Sequence, residues 1–371
     1  MDADAPCAPV PERAIVRTRG DNRAPAPIAA LDLGTNNCRL LVARPDGDGF
    51  TVLDAFSRAV RLGEGVEHSN LLGAAAQARA LKALRICASK IRSHRVSDAR
   101  IVATEACRRA SNGMGFVRRV AREVGLQMEI ISAEEEARFA VAGCAPLIDP
   151  DAEQLLVFDI GGGSTELIWV DMSRTPPSRR ESLVRTLAPS GNDGDQCANA
   201  RAAAAHITDW ISVPLGVSTL HERFADIGDE VRRFGAMSHH FEAQLDRFIP
   251  FRAEDRQVMS TRLQIIGVSG TATTFGALHL GLPTYDRSKV DGMWLSANAA
   301  VAVAERLLTE GTESASNRGI GPGRAELLLS GAAILMTVLR SWPVVRMRIA
   351  DRGLREGMLY GLLQQRRIAA Q

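Results

Sequence analysis

A chain of 371 residues is too long for one compact core, and 46% apolar with 24% charged residues places it among globular rather than disordered or fibrous proteins. A net charge of +2 with only 5% aromatic residues argues against a strongly basic, base-stacking nucleic-acid platform. No run of about 18 apolar residues is present, so no membrane-spanning helix is expected. The six cysteines are scattered without a Cys-x-x-C pair. That pattern indicates neither a zinc site nor a disulfide framework and suits a reducing cytoplasm. Of the 45 basic residues only Lys82, Lys90 and Lys289 are lysines. Arginine forks suit phosphate, and a genome-wide coding bias explains the excess equally well.

In chain order, residues 1–27 are rich in Ala, Pro and charge without an apolar stretch. They are expected to form a disordered tail rather than a signal peptide. A first domain over 28–143 follows. Ile28–Leu31 and Leu40–Ala43 are predicted to form a hairpin, with a third strand at Phe50–Phe56. Apolar positions Leu81, Leu84, Ala88 and Ile91 predict an amphipathic helix over Gly73–His94. Arg100–Thr104 is strand-like, a helix runs through Phe116–Val124, and Gln127–Ile131 is another strand. Ser132 is a predicted N-cap with Glu135 completing a capping box. A second domain over 144–354 repeats the order more loosely. Its hairpin spans Gln154–Ile160 and Ser164–Val170. Pro176-Pro177 and Ser190–Asp195 read as loops, and helices are expected from there to about residue 250. Leu263–Val268 is a short buried strand, Thr312–Arg318 a polar loop, Glu326–Leu339 an apolar helix and Val345–Ile349 a strand. A final helix at 355–371 is expected to complete the first domain.

Two glycine turns stand out. Asp32-Leu-Gly-Thr-Asn36 and Asp159-Ile-Gly-Gly-Gly-Ser-Thr-Glu166 each sit between two apolar strands. Glycine lets a ligand approach the backbone, and successive N–H groups in such a turn make a nest for anions. Gly34, Thr35, Asn36, Gly161, Gly162, Gly163, Ser164 and Thr165 are therefore candidate phosphate contacts. Asp32 and Asp159 at the strand ends could hold Mg²⁺, which favours one or two carboxylates plus phosphate oxygens and water. Both are also ordinary turn-starting residues. Ser269-Gly270-Thr271, between a strand and a helix, offers a third anion site or simply a tight turn. Glu134, Glu135 and Glu136 crowd one helical turn; crowding would raise a carboxylate pKa toward neutral pH. A solvated first turn fits the same residues.

Together these motifs resemble the Ppx/GppA phosphatases, the exopolyphosphatases and guanosine pentaphosphate phosphohydrolases. The matching pieces are the two glycine turns, Ile131-Ser-Ala-Glu-Glu-Glu-Ala-Arg138, Ser269–Thr271 and Asp351-Arg-Gly-Leu-Arg-Glu-Gly357. They occur in the family's order. The resemblance implies an α/β protein of two RNase H-like domains in the actin-like ATPase fold, with the active site in the cleft between them. It implies Glu136 as the base that deprotonates an attacking water, and Asp159 and Glu166 as carboxylates that organise Mg²⁺ or that water. It places Arg108 facing the substrate. It also implies a homodimer. Thr35 and Asn37 stand where the family has serine, and Ala103-Thr-Glu-Ala-Cys107 departs from the usual sequence before the arginine. Set against that family, the chain is expected to lack the C-terminal helical extension of larger members, which contributes to binding long polymers.

The expected activity is Mg²⁺-dependent release of orthophosphate from the ends of inorganic polyphosphate. Hydrolysis of guanosine pentaphosphate at its 5′ end, phosphate transfer from ATP, and a non-catalytic polyphosphate or alarmone sensor are the alternatives. No nucleic-acid or membrane partner is expected.

Overall fold

The computed structural model describes residues 25–189, 205–252, 262–316 and 322–369. The predicted tail and the Ser190–Asp195 loop lie outside the described residues, apart from the last residues before β1. The strands are β1 (Ile28–Leu33), β2 (Asn37–Asp46), β3 (Gly49–Ala59), β4 (Asp98–Ala103), β5 (Glu129–Ile130), β6 (Gln154–Ile160), β7 (Thr165–Asp171), β8 (Ile207–Val213), β9 (Leu263–Val268), β10 (Trp294–Ser296) and β11 (Arg346–Ala350). The principal helices are α1 (Ala74–Ser93), α2 (Glu105–Arg109), α3 (Gly113–Val124), α4 (Ala133–Gly143), α5 (Pro177–Thr186), α6 (Val217–Arg223), α7 (Glu230–Glu242), α8 (Ser269–His279), α9 (Ala297–Ser316), α10 (Pro322–Ser341) and α11 (Leu354–Ala369).

The strands form two sheets, ordered β3-β2-β1-β4-β5 and β10-β11-β9-β6-β7-β8. In each, a three-stranded antiparallel meander continues through parallel strands: β1 beside β4 in the first, β6 beside β9 in the second. Read from the meander, the second sheet repeats the first and adds β10 at its edge. The chain therefore folds as two α/β domains with the same RNase H-like sheet order.

Period-two alternation explains the buried runs. Ala29, Leu31 and Leu33 of β1 face a core built with α1 and α3, whereas Ile28 and Ala30 face α4 and α11. In the second sheet Leu156 and Phe158 face α6 to α10, while Leu155 and Val157 face α4 and α5. Helix α4 serves both sheets: Phe139 and Ala142 pack on the first, Ala137 and Val141 on the second. The C-terminal helix α11 packs on β1, β2 and β4, and crosses α4 closely. A Cβ at Gly357 would lie 1.9 Å from the Phe139 carbonyl oxygen, so only glycine permits this crossing.

Three expectations need correction. Pro177 opens helix α5 rather than lying in a loop, since proline needs no N–H donor in the first turn. The segment before residue 250 contains strand β8, whose apolar Ile207, Ile211 and Val213 alternate along the meander. The region read as a loop from Thr312 is still helical through Ser316. The capping box at α4 is formed: Ser132 Oγ accepts from the Glu135 N–H at 3.1 Å, and Glu135 accepts from the Ser132 N–H at 3.0 Å.

Candidate active site

The carboxyl ends of β1, β6 and β9 point at one cavity of about 150 Å³ between the two domains. Its lining includes Asp32, Gly34, Thr35 and Asn36 from the first turn, and Asp159, Gly161, Gly162, Gly163 and Ser164 from the second. Ser269, Gly270 and Thr271 at the start of α8, and Glu136 in the first turn of α4, complete the set. Thirteen residues expected from the sequence thus surround one space.

The two turns share a hydrogen-bond scheme. Gly34 N–H donates to the Asn37 carbonyl, and Gly161 N–H to the Ser164 carbonyl, each at 2.9 Å. The carbonyls then point away from the cavity. Those of Thr35 and Asn36 accept from Gly63, Val60 and Arg61 amides; those of Gly161 and Gly162 accept from Val217 and Ser218 at the start of α6. The Thr35, Asn36, Gly162 and Gly163 amides make no bond to any described residue. They are free to receive anion oxygens. The turns also touch: Ser218 Oγ donates to Asn36 Oδ1 at 3.0 Å, and a Cβ at Gly162 would sit 2.8 Å from Asn36 Nδ2.

Ser269 holds a left-handed backbone (φ 76°), strained for a residue with a side chain. Its hydroxyl faces Asp159 and favours the charged form of that carboxylate. The strain is retained where the side chain meets a site carboxylate.

Four carboxylates crowd this region, Asp32 and Glu166 buried and Glu136 and Asp159 partly so. Burial lifts Asp32 to about 6, opposed by Arg39 and Arg355 and assisted by Asp159. Burial also raises Asp159, against the pull of Arg39 and the Ser269 hydroxyl. Glu166 rises to about 7 through burial, with Asp159 adding to the rise, while hydroxyls of Ser164 and Ser212 and the charge of Arg108 oppose it. Glu136 lies well above the usual carboxylate range through burial and the charge of Glu166, with Arg108 opposing.

Among the described residues no three His, Cys, Asp or Glu side chains form a ready-made metal cage. The arrangement still fits Mg²⁺, which takes one or two carboxylates and fills its sphere with water and phosphate oxygens. Asp32 Oδ1 is buried without a hydrogen-bond partner among the described residues, an acceptor waiting for a cation or a bound water. Asp32 and Asp159 would hold the ion, with Glu166 behind them.

Three expected contacts lie elsewhere. Thr165 is fully buried, and its hydroxyl donates to the Leu215 carbonyl at 2.8 Å, because its place in β7 turns it into the sheet. Glu166 sits beneath the cavity, accepting from Ser212 Oγ at 2.9 Å. Arg108 spends its donors on protein groups: Glu105, Glu136 and the Ile131 carbonyl. Sequence reading missed Arg39, directly opposite Asp32 across the hairpin, and Arg355, both lining the cavity. It also missed Ser212 on β8. The signal for Arg39 was its hairpin register; for Ser212 the weak alternation of β8 gave none.

The model of the Ppx/GppA phosphatase family matches residues 41–366. A Haemophilus influenzae protein with a provisional exopolyphosphatase name is 28% identical over 354 residues, covering 92% of this chain and 93% of that one. The crystal structure of the Aquifex aeolicus member of the Ppx/GppA family superposes with a TM-score of 0.70 at 26% identity, covering 92% of this chain and 98% of that one. An exopolyphosphatase-like protein of known structure gives a TM-score of 0.74 at 28% identity, covering 91% and 97%. Two repeated domains, two facing glycine turns and a glutamate-led helix at one cleft agree with these matches, and the chain belongs to the Ppx/GppA phosphatase family.

Proposed function

We propose that the phosphoanhydride hydrolysis of this family is directed here at the ends of inorganic polyphosphate, with Mg²⁺ as cofactor and water as nucleophile. The observation that carries this reading is convergence: two turns with free backbone amides, the start of α8 and one largely buried, held carboxylate line the same cavity. Phosphoryl transfer needs positioned groups and cancelled charge more than covalent help. The amides of the two glycine turns and the Ser269 turn take the equatorial oxygens of the terminal phosphate. Arg39 and Arg355 add positive charge at the same cavity. Glu136 accepts a proton from water as the water oxygen bonds to phosphorus; the bridging P–O bond breaks and the shortened chain leaves with the electron pair. A bound Mg²⁺ would neutralise part of the phosphate charge, held by Asp32 and Asp159.

The described residues lining the cavity include no aromatic side chain. A purine would find no ring to stack on, which favours an inorganic chain over guanosine pentaphosphate. A reducing cytoplasm suits the reading, and Cys38, Cys87, Cys107 and Cys144 are free thiols. No helix among the described residues is long and apolar enough to cross a membrane.

The test is orthophosphate release with Mg²⁺ from polyphosphate, guanosine pentaphosphate and ATP, comparing the native protein with Glu136→Gln. Release from polyphosphate should fall by about 10²–10⁴-fold in the variant, the range of a general base. Tight polyphosphate binding without release by the native protein would replace the hydrolase by a sensor. Faster release from guanosine pentaphosphate would move the activity to alarmone turnover.

A further inference from the structure

Arg108 has five N–H donors, and all five are occupied. Nε donates to Glu105 Oε2 at 3.0 Å. Nη2 donates to the same oxygen at 2.7 Å and to Glu136 Oε2 at 3.1 Å. Nη1 donates to Glu136 Oε2 at 3.1 Å and to the Ile131 carbonyl at 2.9 Å. A phosphate oxygen finds no open donor on this guanidinium. The side chains of Arg39 and Arg355 line the same cavity and make no hydrogen bond to any described residue.

The local fold explains the arrangement. Glu105 opens α2 at the carboxyl end of β4, and Arg108 follows three residues later on the same helical face. The Ile131 carbonyl precedes the N-cap of α4, so one guanidinium ties α2 to the first turn of α4. All three side chains are largely buried: Glu105 and Glu136 are 13% exposed and Arg108 21%. Both bonds to Glu136 fall on Oε2. Its Oε1 accepts from no described residue and is left for water.

From this geometry we infer that Glu105 and Arg108 are positioning residues for Glu136, not contacts to the phosphate chain. This rests on the hydrolase reading above. Glu105 fixes one edge of the guanidinium; the other edge then fixes which oxygen of Glu136 faces the water. A base turned out of line loses rate without loss of substrate affinity.

The experiment is a double-mutant cycle read as separate kcat and KM for orthophosphate release from polyphosphate. Its variants are Glu105→Ala, Arg108→Ala and the pair, with Glu105→Gln and Arg108→Lys as replacements that keep the side-chain volume should alanine unfold the domain. Each single change should lower kcat by about 10–10²-fold and leave KM within about threefold. The pair should be no worse than the poorer single by more than about twofold, because both act through one contact. Glu105→Asp, which keeps the carboxylate, should recover part of the rate. Calorimetric titration of tripolyphosphate into Glu136→Gln, with and without Arg108→Ala, should give equal affinities.

A tenfold or larger loss of tripolyphosphate affinity on removing Arg108 would overturn the inference and make Arg108 a phosphate contact. Multiplicative losses in the pair would overturn it as well. No release by the native protein would bring down the hydrolase reading itself, an outcome distinct from either of these.

Discussion

In the first hairpin Asp32 lies directly opposite Arg39; in the second Asp159 lies directly opposite Glu166. The frames otherwise agree. Each turn closes with the same N–H to carbonyl bond at 2.9 Å, and each sends its carbonyls outward. The third strand of each meander even places a serine beside that position, Ser57 opposite Arg39 and Ser212 opposite Glu166. One side-chain position has opposite charge in the two copies. The duplicated backbone supplies two amide nests, and the exchanged residue divides their labour. Arg39 draws on both Asp32 and Asp159 and brings positive charge to the anion site. Glu166 sits under the cavity among donors that favour its charged form.

The largest expected effects come from removing those two charges separately. Glu166→Gln should lower kcat for orthophosphate release by about 10²-fold or more, as expected when a carboxylate that orders the reacting groups is lost. Arg39→Gln should instead raise KM by about 10–10²-fold, the worth of one or two charge-assisted hydrogen bonds to phosphate, with kcat changed little. Steady-state kinetics on polyphosphate measure both. If the two variants shift the same parameter, the hairpins do not divide the work as their charges suggest.

Much of this was legible in the sequence, for a physical reason. Strand–turn–strand with Asp and Gly is a local pattern, and both turns, the α4 capping box and the Ser269 turn are local features. What stayed hidden depends on pairing between distant segments. Arg39 becomes a site residue only once hairpin register sets it opposite Asp32. Ser212 matters only because β8 pairs with β7, and β8 alone is a half-buried strand with weak alternation. Arg108 shows the converse: its place near the site was legible, but its donors are taken by Glu105 and Glu136, 3 and 28 residues away in sequence. Thr165 was assigned by adjacency to Ser164, yet successive strand residues point to opposite faces. The family resemblance carried Glu136, which the residues alone could not separate from a solvated helix start.

The two turns also differ in how tightly they are packed, and alanine substitutions sharpen that contrast. At Gly162 a Cβ would meet Asn36 Nδ2 at 2.8 Å and Thr35 Cβ at 3.1 Å. At Gly34 the nearest atom is the Asn37 carbonyl oxygen at 3.4 Å, an ordinary contact. Gly162→Ala must displace the Asn36 amide and crowd Thr35, and should cost about 1–3 kcal/mol, as overpacking does, with roughly a tenfold loss of activity. Gly34→Ala should cost under about 1 kcal/mol. Denaturant unfolding and orthophosphate release measure the pair. Equal costs would mean that the turns do not press on each other in solution.

The smallest effect concerns pH, and it tests whether the acids of both hairpins are held against their charge. Burial lifts Asp32 from 3.8 to about 6 and Glu166 from 4.5 to about 7. With folded values above the unfolded ones, the folded chain binds more protons between about pH 4 and 7. The stabilisation from these protons is therefore complete below about pH 4 and is lost as pH rises through 7. In chelator at pH 8, Asp32→Asn and Glu166→Gln should each be more stable than the native protein by on the order of 1–2 kcal/mol, and at pH 4 the difference should vanish. Thermal melts at the two pH values read this directly. Added Mg²⁺ should shrink the gain at pH 8, because a cation bound by the native acids replaces the missing proton. A native protein as stable as both variants at pH 8 without Mg²⁺ would mean that water or neighbouring arginines already compensate these carboxylates, and that Asp32 Oδ1 is not the open acceptor its burial implies.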